Sequence, residues 1–253
     1  MSADLFSLDG RVALVTGASR GIGAALACAL ARAGADVAAH GNTTHSEATC
    51  EKARGLGRRA VALVGDMADP TTADRLVSET IASLGRLDIV VNNAGTIRRG
   101  GAVDTADEDW HAVIDVNLHG TFRMCRAAGR HMLASGGGKI INIASLLSFQ
   151  GGLNVPAYAA SKSAIAGLTR ELSNEWAAKG ICVNAIAPGY VRTDNTLALQ
   201  NDATRNRQIL ERIPAGRWAE PSDMEGAVVF LASRASDYVT GHILAVDGGW
   251  LGR

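Results

Sequence analysis

The sequence predicts an α/β protein built on a doubly wound parallel sheet (Rossmann-type) in a single domain. Short apolar runs of strand length alternate along the chain with longer segments of helical periodicity. The runs are apolar on both faces, which is typical of parallel strands covered on two sides by helices. Right-handed crossovers then place a ligand crevice at the carboxyl ends of the strands, where the strand order reverses.

Seven runs rich in Val, Ile and Ala predict strands at 12–16, 37–39, 60–64, 89–92, 140–145, 181–187 and 243–247. The segments between them predict helices at 21–33, 46–57, 70–84, 107–134, 157–179 and 221–233. Residues 193–217 interrupt the alternation, because they are polar, rich in Arg and Asn, and longer than an ordinary connection. We interpret them as a substrate lid within one catalytic domain that spans 1–253.

Composition restricts the kind of partner. The chain has 253 residues, with 25 Lys and Arg against 25 Asp and Glu and no basic run, so nucleic acid is not an expected partner. The four cysteines are far apart, which favours buried thiols, and we expect no metal. No run approaches the ~20 apolar residues of a membrane span and no secretory signal is recognisable, so we expect no membrane partner and a cytoplasmic location.

A glycine cluster lies between the first predicted strand and the first predicted helix, in the sequence Thr-Gly-Ala-Ser-Arg-Gly-Ile-Gly that starts at Thr16. Glycines allow the backbone to approach a diphosphate, and the helix N-terminus supplies free N–H groups. The cluster therefore predicts a dinucleotide site, although its spacing differs from the usual G-x-G-x-x-G. The predicted contacts are Gly17, Ser19, Arg20, Gly21, Ile22 and Gly23.

A second motif, Asn-Asn-Ala-Gly, starts at Asn92 where the fourth predicted strand ends. Taken alone, it is equally a strand-ending turn. Together with the glycine cluster it predicts cofactor contacts at Asn93, Ala94 and Gly95.

The third motif carries the chemistry. Ser145 ends the fifth predicted strand, and Tyr158 and Lys162 follow at i, i+4 spacing on a helix, so their side chains face the same way. A lysine ammonium, together with a cationic nicotinamide ring, favours the phenolate of a tyrosine whose ordinary pKa is ~10. Tyr158 would then exchange a proton with a substrate hydroxyl as a hydride leaves or joins the same carbon, and Ser145 would hydrogen-bond the reacting oxygen. Asn117 is a further candidate, with a core hydrogen bond as an equal alternative.

These residues, in this order and spacing, resemble the short-chain dehydrogenase/reductase family from about Leu8 to Arg253. The resemblance implies a catalytic tetrad of Asn117, Ser145, Tyr158 and Lys162, with Tyr158 and Lys162 also contacting the cofactor. It places Asp66 and Met67 on the adenine side, and Pro188, Gly189, Val191 and Thr193 on the nicotinamide side. It also implies a homotetramer.

The segments 140–156, 174–190, 211–218 and 230–251 are most similar to family members that act on sugar acids of the 2-deoxygluconate or 2-dehydro-3-deoxygluconate type. An anionic sugar acid needs a cationic or multiply hydrogen-bonded seat. The candidates on predicted loops and lid are Arg98, Arg99, Gln150, Asn154, Tyr190, Arg192, Asn195, Arg217 and Trp250, each of which is equally interpretable as a surface residue.

The cofactor form stays open between NAD and NADP, with a slight preference for NAD on the strength of the resemblance. No acidic residue follows the second predicted strand to bind a ribose, as NAD enzymes require. Arg20 suits a 2′-phosphate and Asn42 suits either form, whereas His40 stands out as an unusual residue for a cofactor pocket.

Two alternatives remain at this stage. One is a reductase of 3-oxoacyl thioesters or other ketones, for which an acidic carrier would dock on Arg98, Arg99, Arg123, Arg126 and Arg130. The other is a dinucleotide-sensing binding protein, which would need no activated phenol and so does not account for Ser145, Tyr158 and Lys162.

Overall fold

The computed structural model describes residues 5–43 and 46–253, and the rest of the predicted domain 1–253 lies outside the described residues. Its centre is one parallel sheet of seven strands in the order β3-β2-β1-β4-β5-β6-β7. The strands are β1 (Val12–Val15), β2 (Asp36–Gly41), β3 (Ala60–Val64), β4 (Ile89–Asn92), β5 (Gly138–Ile143), β6 (Ile181–Pro188) and β7 (Ile243–Val246). The order reverses between β1 and β4, which confirms the predicted doubly wound sheet and puts a crevice at that carboxyl edge.

The helices are α1 (Gly21–Arg32), α2 (Glu47–Gly55), α3 (Thr72–Leu84), α4 (Asp107–Ile114), α5 (Thr121–Ser135), α6 (Pro156–Trp176), α7 (Leu197–Asn201), α8 (Ala203–Arg212) and α9 (Glu225–Ala232). Helices α1 and α9 cover one face of the sheet, and α3 and α5 cover the other. Over the ranges that the structure describes, a helix long and apolar enough to cross a membrane is not found.

The two apolar layers explain why the strands carry apolar residues on both faces. Along β1, Ala13 and Val15 pack into the layer beneath α1, whereas Val12 and Leu14 pack into the layer beneath α3 and α5. All four are at most 1% exposed. Successive side chains of a strand point to opposite faces, so a strand buried on both sides needs apolar residues throughout.

The predicted helix 107–134 is wrong in its middle. Helices α4 and α5 are separated by a π-helical segment, Asp115–Gly120, which contains Asn117. Such segments are rare and are found mostly at functional sites. At its end, a Cβ on Gly120 would lie 2.9 Å from the carbonyl oxygen of Met67, so only glycine allows this close approach.

The predicted second strand, 37–39, is longer in the structure, where β2 continues to Gly41. His40 therefore lies within the sheet, opposite Leu63 of β3.

The lid has a defined stem. Residues 193–217 contain α7 and α8, and the chain on either side of them is joined by backbone hydrogen bonds. Arg192 N–H donates to the Ala219 carbonyl at 2.8 Å, and Ala219 N–H donates to the Tyr190 carbonyl at 2.9 Å. The lid therefore leaves and re-enters the body of the protein at neighbouring points.

Candidate active site

Helix α6 places Tyr158 and Lys162 at the carboxyl edge of the sheet. Its first residue is Pro156, whose fixed φ and missing N–H suit the first turn of a helix. Lys162 is 5% exposed. Its Nζ donates at 2.6 Å to the carbonyl of Ile143, the last residue of β5, and lies 5.7 Å from the centroid of the Tyr158 ring.

Ser145 lies two residues beyond the end of β5 rather than within the strand as predicted. Its hydroxyl accepts from the Leu147 N–H at 3.2 Å and lies close enough to Tyr158 to lower the pKa of that phenol. The next residues are tied to α6, because the Ser148 hydroxyl donates to the Lys162 carbonyl at 2.6 Å. Ser145, Tyr158 and Lys162 therefore come together as the sequence predicts.

Burial shifts Tyr158 and Lys162 towards their neutral forms. It raises the pKa of Tyr158, although Ser145 and the positive charge of Arg99 lower it in part. Burial lowers the pKa of Lys162 to about 8. Without a cofactor, Tyr158 is thus a neutral phenol at pH 7, and the lowering of its pKa by Lys162 together with a cationic nicotinamide ring stays a prediction.

Asn117 is 1% exposed and uses its side chain to hold the chain that follows the Asn-Asn-Ala-Gly motif. Its Oδ1 accepts from the Thr96 N–H at 2.8 Å, and its Nδ2 donates to the Thr96 carbonyl at 3.0 Å. A third bond, 3.2 Å long, runs from Nδ2 to the Ser161 hydroxyl on α6. The π-helical segment thereby fixes the loop after β4 against the helix that carries Tyr158.

The glycine turn and the Asn-Asn-Ala-Gly motif form one continuous surface. A Cβ on Gly17 would lie 2.9 Å from the Ala94 Cα, and a Cβ on Gly23 would overlap the Gly17 carbonyl oxygen. Asn93 Nδ2 donates to the carbonyls of Thr16 and Gly17 at 2.9 and 3.0 Å. Only glycine fits at Gly17 and Gly23, which explains the clustering in the sequence.

The N-terminus of α1 opens on this surface. Arg20 occupies the N-cap position, no side chain of the described residues caps the helix, and its first turn carries no acidic residue. The N-terminal N–H groups and the positive end of the helix dipole are therefore available to an anion. Together with the close-packed glycines, this arrangement fits a dinucleotide diphosphate.

The end of β2 offers no carboxylate. His40 is buried there, and Asn42 is exposed just beyond. Ser46, directly before α2, is 1% exposed, and its hydroxyl has no hydrogen-bond partner within the ranges 5–43 and 46–253. Past the end of β3, Asp66 is exposed and Met67 is buried, and Asp66 Oδ1 accepts from the Ala68 N–H at 2.9 Å.

The predicted nicotinamide side lies where β6 ends. Pro188 is the last residue of β6, and a Cβ on Gly189 would lie 2.7 Å from the Asp247 Cα, so glycine is required between β6 and β7. Val191 is buried. The Thr193 methyl group is 3.6 Å from the position of a Cβ on Gly21, which brings the start of the lid against the glycine turn.

Arg99 and Asn154 lie at the mouth of the crevice. Arg99 Nη2 donates to the Asn195 carbonyl at 3.0 Å, which joins the loop after β4 to the lid. Asn154 has a positive φ of 60°, and its carbonyl accepts from the Gly100 N–H at 2.9 Å. The neighbouring Arg98 is turned towards Asp109 on α4, 3.4 Å away.

Arg192 and Arg217 lie at the stem of the lid and are paired with acidic residues there. Arg192 is 3.2 Å from Glu220. Both terminal nitrogens of Arg217 are bound by Asp223, at 2.7 and 2.8 Å. These contacts close the stem, and they occupy two of the four arginines that the sequence offers to a substrate.

The lid and the C-terminal residues around Trp250 form one wall of the crevice. This wall contains Arg212, which the sequence analysis did not identify. Its guanidinium lies 4.1 Å from the centroid of the Trp250 ring, and Nη2 donates to Gln150 Oε1 at 3.2 Å. The same oxygen accepts from Trp250 Nε1, also at 3.2 Å. The seven-residue spacing of Arg205 and Arg212 on α8 was the available signal, because it places both on one helix face.

Tyr190 lies within this wall. Its ring contacts Trp218 and Trp250, with centroids 5.4 and 4.7 Å away. Burial raises the pKa of Tyr190, whereas the charges of Arg205, Arg212 and Arg99 lower it. The crevice therefore combines a reactive phenol with a cationic rim.

Comparison with known proteins identifies the family that shares this arrangement. A family model described as enoyl-(acyl carrier protein) reductase matches residues 17–251. The 2-dehydro-3-deoxy-D-gluconate 5-dehydrogenase of Bacillus subtilis is 54% identical over 250 residues, which are 99% of this chain and 98% of that protein.

Two solved structures are also similar. A putative 2-deoxy-D-gluconate 3-dehydrogenase from Agrobacterium tumefaciens with bound NADP has a TM-score of 0.93 and 54% identity, covering 98% of this chain and 99% of that one. A gluconate 5-dehydrogenase from Burkholderia cenocepacia in complex with NADP and tartrate has a TM-score of 0.95 and 41% identity over 100% of both chains. These complexes do not support the preference for NAD. With the family model matching nearly the whole chain, the protein belongs to the short-chain dehydrogenase/reductase family.

Proposed function

We propose that this protein is an NADP-dependent dehydrogenase that oxidises a hydroxyl of a sugar acid of the 2-deoxygluconate or 2-dehydro-3-deoxygluconate type, and reduces the ketone in the reverse direction. The observation that carries the proposal is the meeting of Ser145, Tyr158 and Lys162 beside the glycine turn, under a cationic rim. The names of relatives that are 50–54% identical over the full length support the substrate class.

Bound in the crevice, the nicotinamide cofactor supplies the chemistry of accepting or returning a hydride at the substrate carbon. The residues that would hold it are the glycine turn, the N-terminus of α1, the Asn-Asn-Ala-Gly segment and Lys162. We propose NADP over NAD because the end of β2 carries no carboxylate to repel a 2′-phosphate. The Ser46 hydroxyl, which has no partner among residues 5–43 and 46–253, and the exposed Arg20, which lies 3.2 Å from Asp194, are donors suited to that phosphate.

Tyr158 is the proposed acid/base. In oxidation its phenolate oxygen takes the proton of the substrate hydroxyl, and in reduction its hydroxyl returns that proton to the oxygen. The Ser145 hydroxyl lies close enough to Tyr158 to lower the pKa of that phenol, so it would hydrogen-bond the same substrate oxygen. Lys162 is fixed by the Ile143 carbonyl, and as an ammonium it would favour the phenolate and hold the ribose of the cofactor.

Asn117 contributes to the site by position. Its side chain fixes the backbone of Thr96, directly after Gly95, against Ser161 on α6. The proposed tetrad therefore divides into Ser145, Tyr158 and Lys162, which reach the reacting groups, and Asn117, which aligns the elements that carry them.

Arg99 is the proposed seat for the substrate carboxylate. Its charge lowers the pKa of both Tyr158 and Tyr190, so it lies near both phenols. A planar guanidinium binds a carboxylate through two parallel hydrogen bonds, which fixes orientation as well as affinity. An anionic sugar acid held by Arg99 would direct its carbon chain towards Tyr158. Gln150 and Trp250 would then lie on the other side of the substrate.

The test is absorbance of the reduced cofactor at 340 nm with NADP and then NAD, against 2-deoxygluconate and 2-dehydro-3-deoxygluconate, with a 3-oxoacyl thioester assayed in reverse. Turnover of a sugar acid with NADP is the expected result. Activity on the thioester alone would replace the sugar-acid proposal with acyl reduction, and faster turnover with NAD would overturn the cofactor proposal. We also propose a homotetramer and a cytoplasmic location, for which light scattering and cell fractionation are the respective tests.

A further inference from the structure

His40 joins the two loops that would hold the cofactor's diphosphate and adenine. It is 1% exposed at the end of β2, directly beneath the glycine turn. Its Nδ1 lies 3.3 Å from the Gly17 nitrogen, and its Nε2 lies 2.8 Å from the Gly65 carbonyl oxygen after β3. A backbone N–H only donates and a carbonyl only accepts, so one form satisfies both partners, the neutral ring with its proton on Nε2.

Backbone contacts reinforce the same connection. The Ala18 N–H donates to the His40 carbonyl at 2.7 Å, and the Thr49 hydroxyl of α2 donates to the Ala18 carbonyl at 2.8 Å. The Gly65 N–H donates to the Gly41 carbonyl at 3.1 Å. The His40 ring is thus the one side chain among these contacts that reaches both the turn after β1 and the end of β3.

We propose that His40 is a positioning residue for the cofactor, whose neutral ring holds Gly17 and Gly65 in place and whose protonation releases Gly17 and weakens dinucleotide binding in acid. The inference rests on the proposed use of a dinucleotide, and it is independent of the substrate.

Protonation changes the contact with Gly17 directly. An imidazolium carries N–H on both nitrogens, so at Nδ1 a donor would face the Gly17 N–H, another donor, across 3.3 Å. The turn must then shift, or the partly buried N–H loses its partner, and either outcome would disturb the surface on which the diphosphate would lie.

The surroundings keep the ring neutral near pH 7. Burial lowers the pKa of His40, the hydrogen bond to Gly65 raises it, the charge of Arg75 on α3 lowers it and that of Asp66 after β3 raises it, for a net lowering. The glycine turn and Thr49 of α2 present uncharged groups. Because the pKa is below its ordinary value of about 6.5, the contact is intact above that pH and is lost as the pH falls through the lowered pKa.

Two substitutions separate the two ring nitrogens. His40→Asn keeps an acceptor near the position of Nδ1 for Gly17 but cannot take up a proton, whereas His40→Gln keeps a donor near Nε2 for Gly65 and leaves Gly17 unpaired. His111→Asn is the matched control, since His111 is an exposed histidine on α4. The dissociation constant of NADP is measured for the full-length proteins by calorimetry from pH 5 to pH 8.

The wild-type protein and His111→Asn should lose affinity for NADP more steeply in acid than His40→Asn does. The 2′-phosphate of NADP itself titrates near pH 6, but equally for all variants, so the difference between the curves isolates His40. His40→Gln should bind NADP about tenfold more weakly at pH 8, the cost of an unpaired buried N–H. In turnover assays it should raise the KM for NADP and leave kcat within about twofold.

Parallel affinity curves for wild type and His40→Asn, or wild-type affinity of His40→Gln at pH 8, would overturn the proposal. Should either variant fail to fold, nitrogen NMR of the wild-type ring decides the matter. NADP should then lower the pKa of His40 further, because the linkage between proton and cofactor is reciprocal, and an unchanged pKa contradicts the proposal. Binding of NADP without sugar-acid turnover would defeat the substrate assignment and leave this inference standing.

Discussion

Tyr158 illustrates how single residues set the chemistry. Burial raises its pKa, and Ser145 and Arg99 only partly offset that effect. Lys162, which the sequence suggested as the activating cation, has its own pKa lowered to about 8 because it is buried. Without a cofactor the phenol is therefore protonated at pH 7, and in the proposed mechanism a positive nicotinamide ring would favour the phenolate and so link proton transfer to cofactor binding.

Replacing Tyr158 by Phe should lower kcat about 10³-fold, the usual range for loss of a positioned acid/base. The phenyl ring keeps the packing against Lys162, so the dissociation constant of NADP should change less than about threefold, as measured by calorimetry. Tyr238→Phe is the control because Tyr238 is fully exposed. Retained turnover in Tyr158→Phe would contradict the mechanism.

Arg99→Gln should move the pH profile of sugar-acid oxidation. Arg99 lowers the pKa of Tyr158, so removing its charge raises that pKa, and the alkaline-rising limb of kcat should shift to higher pH. The KM for the sugar acid should rise about 10- to 100-fold from the lost carboxylate seat. Arg170→Gln, an exposed position on the same helix as Tyr158, should show neither effect. A higher KM with an unchanged pH profile would contradict the predicted effect of Arg99 on the pKa of Tyr158.

At the scale of elements, the π-helical segment Asp115–Gly120 connects α4 to α5 and presents Asn117 to two neighbours. Because Thr96 and Ser161 belong to the loop after β4 and to α6, one side chain sets the distance between the cofactor surface and the helix of Tyr158. The segment thus acts on the site through alignment.

Asn117→Ala should lower the free energy of unfolding by about 1–3 kcal/mol, since it leaves the Thr96 backbone groups without their partners. Urea denaturation of the free protein measures this change. Turnover should also fall while the mechanism's pH profile stays in place, because Tyr158 and its immediate partners are unchanged. A normal stability with lost activity would instead point to direct contact between Asn117 and the reacting groups.

The elements show where sequence reasoning succeeded and where it stopped. The strands and the paired Tyr158 and Lys162 were predictable, because apolar runs and helical spacing are local properties of the chain. The π-helical segment was not, since its apolar periodicity continues that of α4 and α5. The partner of Lys162, the Ile143 carbonyl, also escaped prediction, because backbone carbonyls leave no trace in the sequence.

At the scale of the whole molecule, the two edges of the sheet have different tasks. The carboxyl edge carries the glycine turn, Ser145 and the lid. The amino edge is closed by Asp88, which accepts from Arg86 at 2.6 and 2.7 Å and from Arg11 and the Val12 N–H at 2.9 Å. Changes at the amino edge should therefore alter stability without altering the chemistry.

Asp88→Asn should lower the free energy of unfolding by about 2 kcal/mol at pH 7, as expected for loss of charge-assisted bonds, with kcat and KM unchanged. Burial raises the pKa of Asp88, but the bonds from Arg86, Val12 and Arg11 outweigh it and hold the pKa below its usual range. The stabilisation is thus present above about pH 4 and is lost as the pH falls through the lowered pKa. Urea melts at several pH values measure it, and altered kinetics would contradict the division of tasks.

The stem of the lid has an evolutionary consequence. Backbone hydrogen bonds join Tyr190 and Arg192 to Ala219, so the chain between Arg192 and Ala219 leaves and returns at one place. Because residues 193–217 contribute no strand to the sheet, we expect that recombination between paralogues can exchange this segment together with the side chains that it contacts. New substrate preferences are expected to arise in such a lineage by substitution of this insert before any change in the strands.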